Sequence, residues 1–235
     1  GPRGLRRDQA QANVRRVLTL IRHGRVDFDA RDAFRETARG GQWDPPLGEE
    51  GREQARLLTA RLEASKPFAA IWCSPFRRCV ETIEPYASAV GADVRYDERL
   101  GEVFAGEWEG LSFEEIVATD DELSEKFRDQ EAMFALAPGG ESGAELRARV
   151  IPTVEELLST TEGDVAIVAH GGVINAYVAT LLSLAQDMFF LPDNTSINTV
   201  VVEDGSARVR FLNDVRHITE PFVFVPQEEL KGEAG

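Results

Sequence analysis

Sulfur and histidine are scarce in this chain: its 235 residues include two cysteines, two methionines and three histidines. Two cysteines cannot build a disulfide framework. Cys73 and Cys79 straddle an expected strand-to-helix turn and read as a core residue and a helix residue, which suits a reducing cytoplasm. Positive charge is also short, with 26 Lys and Arg against 41 Asp and Glu and a formal net charge of −15. Such a surface repels nucleic acid and anionic membrane, so neither is expected as a partner. An anionic substrate would need a local island of positive charge. No apolar run approaches the roughly 18 residues of a membrane span, and no signal-like apolar segment opens the sequence. Internal repeats, low-complexity tracts and an obvious linker are missing too. What remains is an ordinary globular balance, 43% hydrophobic and 29% charged, long enough for one large α/β domain or two small ones.

Residues 1–16 are polar, arginine-rich and aperiodic, and are expected to form a flexible leader, Gly1-Pro2 reading as a cleaved-tag remnant. Residues 17–225 are expected to carry the domain and 226–235 to form a flexible tail. Strand-like runs fall at Val17–Arg22, Ala69–Ser74, Val94–Tyr96, Val165–Ala169, Asn198–Glu203 and Ala207–Asn213. Helical patterns lie at Glu49–Leu62, Arg77–Val90, Gly143–Leu158 and Val173–Leu184, with Pro85 expected to kink or break the second. This alternation predicts a three-layer α/β/α fold around a mostly parallel sheet. Asp204-Gly205 predicts a type I′ hairpin between the last two strands. Two stretches interrupt the alternation and are expected to be lids. One is the arginine- and aromatic-rich segment 25–47; the other is the acidic segment 110–140.

Two of the three histidines end strand-like runs in the same way, as Arg22-His23-Gly24 and Ala169-His170-Gly171-Gly172. The carboxyl edge of an open α/β sheet is where ligands bind, and glycine there allows a sharp turn or a close backbone approach. Arg22 adds a fork of donors suited to phosphate or carboxylate. Arg78, in Ser74-Pro75-Phe76-Arg77-Arg78-Cys79, falls in the first turn of a helix, where the dipole also favours an anion. Glu102, among the glycines and aromatics of Leu100–Gly110, is a carboxyl whose pKa desolvation would raise, as a general acid requires.

In order, these segments resemble the histidine phosphatase superfamily, with its phosphoglycerate-mutase-like fold, and Asp44–Ala55 is similar to that family's first long-helix opening. The resemblance spans about Val17 to His217. It implies a metal-independent phosphomonoesterase without cofactor, acting on a phosphorylated small molecule. His23 would form a phosphohistidine and Glu102 would serve as acid, then base. Arg22, Arg78 and His170 would hold the phosphoryl oxygens, with Gly24, Arg25 and Gly171 also on the substrate. A homodimer is left open by the sequence.

Some positions depart from the family pattern. Arg25 and Val26 follow His-Gly where a Glu or Gln and a Thr or Ser are usual, and Asp29 replaces an asparagine that helps hold phosphate. Arg25 either replaces that donor or forms a surface ion pair. Asp29 reads as a loop carboxylate, His217 as a structural hydrogen-bonding residue, and Trp108 and Phe104 as packing around Glu102. Three other readings compete. A mutase would need a capping segment that 110–140 does not resemble. A two-histidine, one-carboxylate metal site on His23, His170 and Glu102 is disfavoured by two neighbouring guanidiniums. A catalytically dead binding module would not need all five residues.

Overall fold

The computed structural model describes residues 15–27, 41–119 and 133–219. In chain order the elements are β1 (Arg16–Arg22), α1 (Glu49–Glu63), β2 (Ala70–Cys73), α2 (Arg77–Val90), β3 (Val94–Tyr96) and α3 (Phe113–Val117). Then follow α4 (Gly143–Ser159), β4 (Val165–Ala169), α5 (Gly171–Leu181), β5 (Ile197–Glu203) and β6 (Ser206–Asp214). The six strands form one sheet in the order β3-β2-β4-β1-β5-β6. The β3-β2, β2-β4 and β4-β1 pairs are parallel, while β5 is antiparallel to both neighbours. Five strands therefore share one direction, as the alternation of strands and helices requires.

The central strand explains why its sequence is continuously apolar. Every residue of β4 is buried. Val165, Ile167 and Ala169 point into a core shared with α4 and α5. Ala166 and Val168 point into the opposite core, shared with Leu58 and Leu62 of α1 and Ile83 and Tyr86 of α2. A strand covered on both faces has no polar side to show. Each fully buried Val, Leu or Ile contributes roughly 1.5–3 kcal/mol.

All six strand boundaries fall within one residue of their expected positions. Asp204 and Gly205 both have positive φ, 52° and 73°, as a type I′ turn demands. Two details differ from the expectation. Of the kink or break expected at Pro85, the break does not occur: helix α2 runs continuously through it. Thr82, Ile83, Tyr86 and Ala87 are buried on both sides of the proline, so packing outweighs its cost of about 3 kcal/mol. Helix α5 spans Gly171–Leu181 rather than starting at Val173, because His170 is itself the N-cap and both glycines are helical.

The ends of the 25–47 segment are tied together by a Val26–Leu47 bridge and by Gly48 N–H donating to Arg25 O at 2.9 Å. The second insertion holds the short helix α3, closed by a Ser112–Glu115 capping box, and a 3-10 turn at Phe134–Leu136. The parts of both insertions that contain Asp29, Arg31, Arg35, Arg39 and Phe127, with the leader before residue 15 and the expected tail, lie outside the described residues. No helix among the described residues is long and apolar enough to cross a membrane.

Candidate active site

Strand register brings the two histidines together. Arg22 of β1 pairs with Ala169 of β4, so the next residues, His23 and His170, emerge side by side at the carboxyl edge. His23 N–H donates to Ala169 O at 3.1 Å, and the imidazole rings meet edge-on with centroids 5.2 Å apart. Strand β2 reaches the same edge, where Ser74 N–H donates to Val168 O at 2.9 Å.

The His23 side chain is set for nucleophilic work. Its Nδ1 lies 2.8 Å from Gly24 O, and a carbonyl can only accept, so Nδ1 carries the proton. Nε2 keeps its lone pair. Burial, with the Arg78 and Arg22 guanidiniums nearby, holds the ring's pKa well below the usual imidazole value. The backbone that supplies this carbonyl is confined. A Cβ on Gly24 would come within 2.8 Å of Gly51 O, and one on Gly51 within 2.0 Å of Arg25 O. Gly24 is thus required for close approach to α1, not for a positive φ. Its N–H is held by Thr82 Oγ1 at 2.9 Å.

Two guanidiniums stand beside this ring. Arg78 is buried over the Phe76 ring at 4.7 Å, donates to Trp43 O at 3.0 Å and lies 3.7 Å from Asp44. Arg22 donates to Pro192 O, while its Nε is buried without a partner. That Nε lies near Gly171 at the amino end of α5, where a Cβ would meet it at 3.8 Å. An unsatisfied donor beside a helix N-terminus is suited to an anion.

Glu102 approaches from the loop after β3. Its Oε1 accepts from Val103 N–H at 3.0 Å and from Gly172 N–H at 3.1 Å. Burial raises its pKa above the usual carboxyl value; the two amides and the Arg78 and Arg22 charges oppose this without cancelling it. The carboxyl therefore holds its proton to a higher pH than a surface glutamate, as an acid catalyst must.

Arg22, His23, Arg25, Arg78, Glu102 and Gly171 all line one cavity of about 480 Å³. Beyond this polar floor its walls are largely apolar, with Trp43, Trp108, Ile116, Phe134 and Leu191. His170 adjoins His23. It is fully buried, with Nε2 2.8 Å from Ser74 Oγ and 3.5 Å from Cys79 Sγ, and burial and Arg78 lower its pKa well below normal. Arg25 reaches the cavity rim but pairs with Glu50 at 3.4 Å, both side chains being more than half exposed. His217 bonds Thr195 Oγ1 at 3.0 Å, a structural contact at the sheet edge. Among the described residues His23, His170 and Glu102 do not gather into a group that could hold a metal ion.

Sequence reasoning missed several contributors. Ser74 was visible only as a turn residue, yet it holds His170. Gly172, the second glycine after His170, is the one whose amide N–H donates to Glu102. A side chain there would meet Glu102 Oε1 at 2.5 Å, whereas Gly171 has ordinary room. Asn194, whose Nδ2 donates to His23 O at 3.0 Å, had no local signal. Nor had Asn175, which pins the 188–191 wall to α5 through Phe189 N, Phe190 N and Phe190 O.

Known proteins share both the sequence and the fold. The family model described as histidine phosphatase superfamily (branch 1) matches residues 18–215. The chain is 34% identical over 180 residues to a glucosyl-3-phosphoglycerate phosphatase of Mycolicibacterium vanbaalenii, covering 73% of this chain and 76% of that protein. The solved structure of Bacillus stearothermophilus YhfR superposes with a TM-score of 0.74 at 30% identity, over 86% of this chain and 99% of that one. A mycobacterial glucosyl-3-phosphoglycerate phosphatase in complex with VO3 superposes with a TM-score of 0.71 at 29% identity, over 84% and 98% of the two chains.

Proposed function

The chain belongs to the histidine phosphatase superfamily (branch 1), and from that premise we propose that it hydrolyses the phosphomonoester of a small metabolite through a phosphohistidine on His23. The observation that carries this is the Nδ1–H bond to Gly24 O, which leaves an unprotonated Nε2 near the Arg78 and Arg22 guanidiniums.

In the first step the Nε2 lone pair attacks phosphorus and the bond to the alcohol oxygen breaks. The Glu102 proton passes to that oxygen, so the leaving group departs as a neutral alcohol. In the second step the Glu102 carboxylate takes a proton from water and the water oxygen attacks phosphorus. The N–P bond then breaks and returns its electrons to Nε2. Arg22 and Arg78 hold the equatorial oxygens, where charge concentrates in both transition states. By analogy with single oxyanion-hole donors, each is worth about 3–4 kcal/mol. His170, neutral and edge-on to His23, completes the phosphoryl pocket with the amino end of α5. Arg25 remains at the rim to meet the alcohol portion, and the apolar walls suit its carbon skeleton.

Two buried free thiols, Cys73 and Cys79, support work in a reducing compartment, the cytoplasm. The test is phosphate release from a panel of phosphorylated metabolites in the presence of a strong chelator. Wild type is expected to turn over at least one of them, and His23→Ala none. Release that survives in His23→Ala, or that vanishes with the chelator, would overturn the reading.

A further inference from the structure

Glu102 sits on a loop, and a loop needs something to aim it. Arg149, on α4, lies outside the cavity and directs all five of its N–H donors at that loop and its surroundings. Nε and Nη2 grip the Glu141 carboxylate at 2.9 and 2.6 Å. Nη1 donates to Arg99 O at 2.8 Å and Gly101 O at 2.9 Å, and Nη2 also reaches Glu102 O at 3.4 Å. Glu141 continues the clamp beyond the acid: its Oε2 accepts from Phe104 N–H at 3.3 Å, and its own N–H donates to Phe104 O at 2.7 Å. The backbone is thus held from residue 99 to residue 104, on both sides of Glu102. Gln42 also donates to Glu102 O at 3.0 Å and to Val103 O at 3.3 Å.

We propose that Arg149 is a positioning residue for the general acid: its fork fixes the carbonyls of Arg99, Gly101 and Glu102 so that the Glu102 carboxyl meets the leaving oxygen. The inference rests on the phosphatase reading above. Only a planar guanidinium can serve these carbonyls and a bidentate carboxylate at once. A lysine keeps a point charge for Glu141 but cannot span the three carbonyls. With side-chain exposures of 25% and 15% the pair is mostly buried, so removing the charge outright would leave the Glu141 carboxylate unpaired and cost stability. Lysine keeps that pairing and changes only the geometry of the fork.

A loose acid and a loose fold are separable by the leaving group. Release of 4-nitrophenolate needs little protonation, whereas release of an alkoxide needs a placed proton. The measurement is kcat/KM, which reports steps through departure of the leaving group, for 4-nitrophenyl phosphate and for an alkyl phosphate. It is made on wild type, Arg149→Lys and Arg149→Met, with thermal midpoints recorded alongside. In Arg149→Lys the alkyl phosphate should lose about tenfold or more, a part of the roughly 10²–10⁴-fold a positioned acid contributes, while 4-nitrophenyl phosphate changes by less than about threefold. The alkaline limb of the alkyl phosphate profile should also move to lower pH, because a loosened carboxyl is better hydrated. Equal losses on both substrates, or no loss on either, would overturn the assignment. Should Arg149→Met fail to fold, Arg149→Lys still decides the question, because it keeps the stem and the ion pair. Wild type inactive on both esters would instead remove the phosphatase reading itself.

Discussion

Replacing Gly172 by alanine should damage chemistry while sparing the fold. A Cβ at this position would stand 2.5 Å from Glu102 Oε1 and 3.4 Å from Phe134 Cζ, with no backbone atom among its nearest neighbours. The atom that must yield is the far end of a flexible side chain, which can swing away at small cost in stability. Alanine in a helix is favoured over glycine by up to about 1 kcal/mol. The Gly172 N–H bond to Glu102, present at 3.1 Å, would be lost at a cost of roughly 1 kcal/mol. These terms nearly cancel, so the thermal midpoint should move by no more than about 2–4 °C. Activity has no such compensation. The displaced atom belongs to the acid, and a misplacement near 1 Å can cost on the order of 10²-fold. That corresponds to about 2.7 kcal/mol in the barrier. The assay is kcat/KM on an alkyl phosphate together with differential scanning calorimetry. An unchanged kcat/KM would refute the placement of Glu102 as the acid. A large drop in midpoint with proportionate inactivation would refute the separation of site from fold.

Three further outcomes follow from the same geometry. His23 must be neutral to attack, and burial with Arg78 and Arg22 lowers its pKa well below 6.5; Glu102 must be protonated, and burial raises its pKa above 4.5. Alkyl phosphate turnover should therefore rise with pH through a limb below 6.5 and fall with pH through a second limb above 4.5. An NMR titration showing His23 protonated at pH 6.5 would contradict this. Arg78→Lys retains charge but loses the fork between Trp43 O and the phosphoryl group, and kcat/KM should fall about 10²–10³-fold in steady-state kinetics. Gly51→Ala places a Cβ 2.0 Å from Arg25 O, a backbone atom that cannot swing aside; calorimetry should show destabilisation of about 1–3 kcal/mol, with activity lost as the Gly24 carbonyl shifts.

The parts of this molecule legible in the sequence are those fixed by local rules. Val165–Ala169 is apolar at every position because both faces are covered, and its length and the following His-Gly marked it as a strand ending at the ligand-binding edge. Arg78 followed from Ser74-Pro75 and a helix start. What escaped depends on chain segments far apart. Pro85 predicted a kink or a break because the local rule counts a lost hydrogen bond, while the burial of Ile83 and Tyr86, which keeps the helix continuous, is a tertiary quantity. The role of Gly172 needed the knowledge that Glu102, seventy positions earlier, folds back onto the first turn of α5. Arg149 has no motif around it; its purpose is visible only from the three carbonyls it meets. His170 was legible as a partner of His23, but its bond to Ser74 Oγ, ninety-six positions earlier, is a contact that strand order alone does not reveal.

Rapid-quench labelling with a phosphorus-labelled monoester tests the covalent step most directly. An acid-labile, base-stable label is expected on the His23 ring, forming and decaying fast enough to lie on the turnover path and missing from His23→Ala. A label on another residue, or burst turnover with position 23 unmodified, would contradict the phosphohistidine route.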